Sequence, residues 1–344
     1  VTIQADCSIG FKKETTYGTA VTVDRFLEFT SETLDFEREY YQGEGMRPGS
    51  RAPRSGRRIL VKDGGSGDIE LEVPSKGLGT FLEALLGVGV STLVSAGLYQ
   101  QVFTLIKQDF LPSLTIQKGI PRLGANVVDP YTFKGAVATS FELSMSNAEV
   151  LKLKSSWHAR EVVADGSIAY ATPSYPSPLD LFSFVGASIT AGGAVTPPTA
   201  TALATGGTPV ADVQDFSLSV DQKLDENGWN LGGGGKRSRR GAVGLAEVTG
   251  KLTAEYDAVV FRDAVASQTP MALTATFQAS AAADIVAGQK PTLQIVCPDI
   301  RFDGELPKSN GGDVITQSLD FTAFDNLVAA EPLYIVVRTG DSAL

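Results

Sequence analysis

Few residues in this chain combine the type and the spacing that chemistry demands. His158 is the only histidine among 344 residues, and it follows Trp157 near the end of a strand-like run. A catalytic triad needs its imidazole beside a nucleophile and an acid, and no nucleophile elbow surrounds this one. With a single His, the commonest general base and metal ligand is almost missing. Cys7 and Cys297 lie far apart in sequence and form no CxxC pair, so they read as two separate thiols. Residues 232–238 (Gly-Gly-Gly-Gly-Lys-Arg-Ser) invite a phosphate-loop reading. That pattern fails because Arg237 stands where Ser or Thr is needed and Asn230 where the first Gly is needed. Asp221, Asp225, Glu226 and Asn227 lack the spacing of a calcium loop. Glu70 and Glu72 share one strand face, but acid–base work would need a partner across a cleft. No catalytic residue, cofactor or metal is expected.

The pronounced charge features are two basic clusters in Gly-rich arms. Arg47, Arg51, Arg54, Arg57 and Arg58 lie in residues 41–58, and Lys236, Arg237, Arg239 and Arg240 lie in residues 224–241. As nucleic-acid contacts they lack interleaved aromatics and sit on a chain of net charge −10. As docking arms they fit better, since Arg presents forked donors to carboxylates and this chain has carboxylates in excess. Of 29 basic and 39 acidic residues, 18 and 20 fall in the first 165, so most of the negative balance lies beyond them.

The elements that must carry these arms read as β-strands. Residues 26–34 alternate polar and apolar, residues 11–20 read as a loop, and residues 66–73 alternate cleanly. In the last run Ile69, Leu71 and Val73 face one way and Asp68, Glu70 and Glu72 the other. Residues 78–86 then place Phe81, Leu82, Leu85 and Leu86 on one helical stripe. Further strands are expected at 101–106, 113–117, 131–144 and 150–154. The Pro-rich run 166–178 cannot hold a central strand and divides the chain into 1–165 and 179–344. Residues 191–210, rich in Ala, Gly, Thr and Pro, read as an exposed mobile loop.

The two parts look alike. Residues 215–220 answer 29–34, residues 224–241 answer the first arm, and 249–256 answer 66–73 through the pattern Ser/Thr-Gly-x-Ile/Leu-x-x-Glu. A helix at 258–265 answers 78–86, residues 293–296 answer 114–117, and 313–324 answer the run ending at Met145. The fold expected is mainly β: two similar β-sandwich or barrel domains in tandem, each with a short flanking helix and a long projecting loop. A length of 344 residues and a hydrophobic fraction of 43% suit two such cores. No signal-peptide pattern and no apolar run of about 20 residues is present, so cytoplasmic synthesis is expected.

Residues 10–21 (Gly-Phe-Lys-Lys-Glu-Thr-Thr-Tyr-Gly-Thr-Ala-Val) and 25–34 (Arg-Phe-Leu-Glu-Phe-Thr-Ser-Glu-Thr-Leu) resemble the major tail tube proteins of long-tailed, non-contractile bacteriophages. Residues 44–49 (Glu-Gly-Met-Arg-Pro-Gly) and 66–77 (Ser-Gly-Asp-Ile-Glu-Leu-Glu-Val-Pro-Ser-Lys-Gly) strengthen the resemblance, which covers about the first 150 residues. It implies a non-enzymatic virion protein whose β-sandwich domains join into a channel-lining barrel. Rings would stack through the loop at 37–63 and its copy at 223–246, with both basic clusters as inter-ring docking arms. The lumen would be acidic, with Glu70, Glu72 and Glu255 as candidate lining residues, so that double-stranded DNA slides through unbound. Implied partners are further copies of the chain, the tape-measure protein, and the tail-terminator and tail-tip proteins. Duplication would make a ring a trimer with pseudo-sixfold symmetry, or a hexamer if the repeat is spurious. A terminator or decoration protein of the same tail is a near alternative. A carbohydrate-binding β-sandwich would want exposed aromatic clusters, and a β-rich hydrolase would leave the repeated basic arm unexplained.

Overall fold

The computed structural model describes residues 3–344 except 50, 125–126, 179, 211, 257–258 and 305–313. The first part contains β1 (Ser8–Lys13), β2 (Arg25–Phe26), β3 (Ser31–Glu32), β4 (Asp35–Phe36), β5 (Glu39–Gln42), β6 (Arg58–Lys62) and β7 (Gly65–Glu72). Helix α1 (Gly79–Leu86) follows, then β8 (Gly87–Ser95), β9 (Leu98–Leu105), β10 (Leu114–Pro121), β11 (Val128–Met145), β12 (Lys152–Ala159) and β13 (Glu161–Val163). The second part contains β14 (Ala187–Ala191), β15 (Val195–Thr196), β16 (Thr205–Gly206), β17 (Pro209–Val210), β18 (Val213–Asp221) and β19 (Glu247–Glu255). Helix α2 (Val260–Ser267) precedes β20 (Met271–Gln278), β21 (Thr292–Gly304), β22 (Thr316–Ala323) and β23 (Tyr334–Thr339). The protein is mainly β with two α-helices.

Period-two alternation builds the strands. Ile69 and Leu71 of β7 are buried, while Asp68, Glu70 and Glu72 stand on the opposite face, as the sequence pattern requires. Helix α1 buries Phe81, Leu82, Leu85 and Leu86 and stops at Gly87, whose φ of 98° is the left-handed turn a glycine supplies without strain. Phe81 wedges between Phe11 and Trp157, with ring centroids 5.2 Å away on each side. That wedge fixes the helix against the sheets.

The strands follow one pairing order in each part. In the first it runs β1, β10, β11, β12, β7, then β3 and β4. In the second it runs β14, β20, β21, β22, β19, β18. In each order one long strand changes partners along its length. The first half of β11 lies between β10 and β13, and its second half between β12 and β18, with a bulge between Ala138 and Ser140 at the change. Residues Thr292–Val296 of β21 pair with β20 and β23, and Ile300–Gly304 with β22. A bulge re-aims a strand, so one chain segment can leave one sheet and join another with the core between them. Two glycines mark equal places. Gly67 lies opposite Trp157 and Gly250 opposite Phe321. A Cβ on Gly67 would come within 2.5 Å of the Thr33 carbonyl, and one on Gly250 would meet the Phe321 ring and the Ser217 carbonyl.

Two further ladders tie the parts together: β11 with β18, and β9 with β23. One apolar core runs across both, from Phe11, Phe81 and Trp157 to Phe216, Phe302 and Phe321.

Several sequence readings change in detail. Residues 26–34 are not one strand, because β2 pairs with β1 while β3 pairs with β7, and the chain must cross between sheets. Phe11–Lys13 belong to β1, not to a loop, since Phe11 is drawn into the core. Residues 191–210 are ordered by the hairpin of β15 with β16, and Ala204 is buried on a small core with Val296, Tyr334 and Val336. The Ala204 N–H also donates to Gln294 Oε1 at 2.8 Å. In the pairing order Leu293–Val296 lie in β21, which takes the place of β11, where the sequence comparison had set them against β10. Likewise β22 takes the place of β12. The β8–β9 hairpin has no counterpart after α2, so a count of strands along the chain slips by that insertion. Part of the reading of a helix at 258–265 and of a run at 313–324 lies outside the described residues, at 258 and 313.

Candidate assembly surfaces

One face of the sheet is polar from end to end. Counting β3 with β4 as one strand, eight strands run in the order β3/β4, β7, β12, β11, β18, β19, β22, β21. Reading across this run at one level gives Glu70, Lys154, Glu142, Ser219, Thr249 and Thr322. The next level gives Glu72, Lys152, Ser144, Ser217, Lys251 and Asp320. The residues between these levels, such as Leu71, Leu153, Leu143, Leu218 and Phe321, are buried. Glu70, Glu72 and Glu255 therefore share the face turned away from the core. Glu70 accepts from Ser31 Oγ at 3.0 Å, and Glu255 accepts from Gln214 Nε2 at 2.9 Å. The pair Lys154–Asp68, at 3.4 Å, lies among them on the same face.

The first arm stands out as the hairpin of β5 and β6. Gly and Pro in residues 43–53 rule out a longer ladder, so the tip is a wide loop with Met46 99% exposed. Arg47, Arg51, Arg57 and Arg58 are exposed and Arg54 is half-buried, and none of the five makes an ion pair among the described residues. Arg58 stacks over the Tyr40 ring at 4.9 Å. Tyr40, Tyr41, Ile59, Leu60 and Val61 are exposed beside these cations. An apolar patch ringed by unpaired guanidiniums is the composition of a binding surface.

The second arm is spent within the chain. Lys236 pairs with Glu161 at 2.7 Å, and Arg237 pairs with Glu37 at 3.3 Å while its guanidinium stacks on Trp229 at 4.7 Å. Arg239 pairs with Asp225, and Arg240 donates to the Leu111 carbonyl at 2.7 Å. Arg160 Nε holds the Arg237 carbonyl at 3.0 Å, and the Asp63 N–H holds the Gly235 carbonyl at 2.7 Å. Lys62 also lies against the Trp229 ring, at 5.0 Å from its centroid. The arm thus folds back onto the first part, against the foot of the first arm. Burial pushes the Glu161 carboxyl up, but hydrogen bonds from Lys134 and Lys236 outweigh it and hold the group below its usual value. Arg239 and the Asn227 N–H hold Asp225 down in the same sense.

The sockets Glu37, Glu161, Arg160 and Trp229 were not singled out in sequence, since each gains its role from a partner far along the chain. Glu14 is another. Its buried carboxylate accepts from the Gly18 and Gly135 N–H groups (2.8 Å each) and from Ser113 Oγ (2.9 Å) and Thr115 Oγ1 (3.0 Å). It is the anchor of the 10–21 motif. His158 sits 3.8 Å from Glu37 and 3.4 Å from Glu226. Burial drives the Cys297 thiol up to about 12, and burial with nearby Glu32 and Asp6 raises Cys7, so neither is a poised thiolate. Among the described residues no cluster of His, Cys, Asp and Glu could hold a metal, and no helix is long and apolar enough to cross a membrane.

No curated protein matches the chain. A family model described as phage tail tube protein matches residues 4–323, nearly the whole length. The chain belongs to the phage tail tube protein family.

Proposed function

We propose that this tail tube protein closes into rings that stack to form the conduit for viral DNA, with the polar face of the eight-strand run turned to the bore. The observation that carries this is the run itself: continuous, polar on one face, apolar on the other and, among the described residues, with no further strand beyond β3/β4 at one end or beside Arg301–Gly304 of β21 at the other. Carboxylates on it, Glu70, Glu72 and Glu255 among them, keep a polyanion from adhering by like-charge repulsion.

The repeated pairing order supports reading residues 1–165 and 179–344 as two copies of one tube domain joined by 166–178. A ring of three chains then has pseudo-sixfold symmetry. The first arm, with Arg47, Arg51, Arg54, Arg57 and Arg58, is the part that reaches the next ring. Lys236, Arg237, Arg239 and Arg240 serve instead to fix the two copies to each other, which narrows the docking role that the sequence suggested for both clusters. In the virion the tube would enclose the tape-measure protein and meet terminator and tip proteins at its ends.

Negative-stain electron microscopy of concentrated protein tests the reading. Hollow tubes of evenly spaced rings with threefold end views are expected. Solid filaments, or particles without a bore, would overturn it.

A further inference from the structure

Strand β18 connects two unlike surfaces. Its last residue, Asp221, leads into the second arm, which meets the foot of the first where the Asp63 N–H bonds the Gly235 carbonyl. Its first residues border a cavity of about 330 Å³, lined by buried Met145, Phe216 and Phe277 and by Ile189, Val210 and Val213. Asp215 is the one charged residue among the described lining, and its Oδ1 accepts from the Asn147 N–H at 3.1 Å. Asp68, Ser156, Ser140 and Asp221 share one level across the sheet, close to the Phe36–Gly65 pair from which the first arm departs. Val213 lies roughly 27 Å from Asp221 along the strand. Within one chain the cavity and the foot of the first arm are therefore at opposite ends of the sheet.

We infer that this cavity is the socket for the first arm of a chain in the adjoining ring, with Met46 seated among Met145, Phe216 and Phe277 and Arg47 facing Asp215. This rests on the tube reading above, which sends the arm to the next ring, and adds the place where it lands. The chemistry of the two surfaces selects the occupant. Met46, 99% exposed, is an unbranched thioether that fills irregular apolar space, and the cation beside it answers the single carboxylate of the lining. The loop after β22 offers a competing apolar projection at the same end of the sheet, with Leu327 and Val328 exposed. It carries Asp325 and Glu331, however, and would bring like charge to Asp215. Numbers agree as well. Each chain has one untethered arm and one such cavity, since the matching place in the first part, beside Phe29–Ser31, is lined in part by Gln4, Glu28 and Glu32. A contact between unlike surfaces at opposite ends of a subunit does not close on itself and propagates along an axis, as stacked rings must.

Cysteine trapping in assembled tubes tests the socket. In a Cys7→Ser background, Met46→Cys with Ser188→Cys, an exposed residue of the cavity lining, should link chains from ring to ring into ladders that run past three chains. Leu327→Cys with Ser188→Cys should not link. Tubes without a 46–188 link, links confined to single chains or to sets of three, or equal linking of both pairs overturn the inference and leave the tube reading standing. If the unsubstituted chain makes no rings at all, the tube reading fails and takes this inference with it. A footprint on the unsubstituted protein guards against a misfolded variant. Peroxide oxidation of Met46, read by mass spectrometry, should slow about tenfold on assembly, and tubes whose Met46 oxidises at the subunit's rate refute the seating. Asp215→Lys should raise the concentration needed for tubes about tenfold, and adding Arg47→Glu should return it to within about threefold of the starting value. Failure of that rescue refutes the pairing of Arg47 with Asp215.

Discussion

The two arms begin as the same kind of sequence, Gly-rich and Arg-rich between paired strands, and end as opposites. The first projects with its cations unpaired among exposed Tyr40, Met46 and Leu60. The second lies down on its own chain, where Arg237 is 7% exposed between Glu37 and Trp229. The difference comes from what each arm can reach. The second finds Glu37, Glu161 and the Leu111 carbonyl of the first part beneath it, because β18 pairs with β11 and brings the two parts edge to edge. Among the described residues the first has no such neighbour. A basic arm is therefore not a docking arm by composition. In the function proposed above, an arm is left for docking when the described residues of its own chain offer it no acceptors.

The widest gap between the arms should appear on charge reversal. Arg57→Glu with Arg58→Glu should leave the melting temperature nearly unchanged, since exposed substitutions act within about ±0.5 kcal/mol. Tube growth should fall at least tenfold, read by light scattering and microscopy. Normal-length tubes would sink the stacking role of this arm. Arg237→Ala should do the reverse and destabilise the subunit by about 2–4 kcal/mol, because Glu37 loses its partner and Trp229 its cover. Denaturant midpoints and a red-shifted Trp emission would report it. Lys236→Ala removes a half-exposed pair and should cost only about 0.5–1 kcal/mol.

Acid offers a finer probe of the same contrast. Glu161 and Asp225 have depressed folded-state values, so their contribution is full above the unfolded-state value and is lost as pH falls through the folded one. Below about pH 4 the second arm should loosen before the sheets do, read as faster proteolysis within residues 232–235. The first arm, with no such pairs, should show no acid step in its own cleavage. The smallest effect is that of salt. Raising it from about 0.05 to 0.5 M should weaken ring stacking and leave subunit stability almost unaltered, since exposed charges are screened far more than the half-buried pairs of the second arm.

Much of this architecture was legible in the chain. Alternation at Asp68–Glu72 assigned both faces of β7, and the stripe of Phe81, Leu82, Leu85 and Leu86 placed α1, because period two and period 3.6 are local properties of a segment. The pattern shared by residues 66–73 and 249–256 falls on β7 and β19, which hold matching places in the two pairing orders. Past the helices the comparison slipped by one strand. The β8–β9 hairpin interrupts the first part alone, and generic alternation cannot register one strand on another. Residues 26–34 were read as one strand, because alternation does not reveal that β2 pairs with β1 while β3 pairs with β7.

By itself, the sequence determined the β-rich class, the two short helices, the polar and apolar faces of β7, and the presence of two basic arms. Each depends on neighbours a few residues apart. Tertiary structure alone decided that one arm is tied down and the other left without ion pairs among the described residues, and that β18 lies beside β11. The pairing of Arg237 with Glu37, 200 positions away in sequence, shows why. Such contacts exist only once the sheets have set the distance between distant segments, and no local pattern in the chain records that distance.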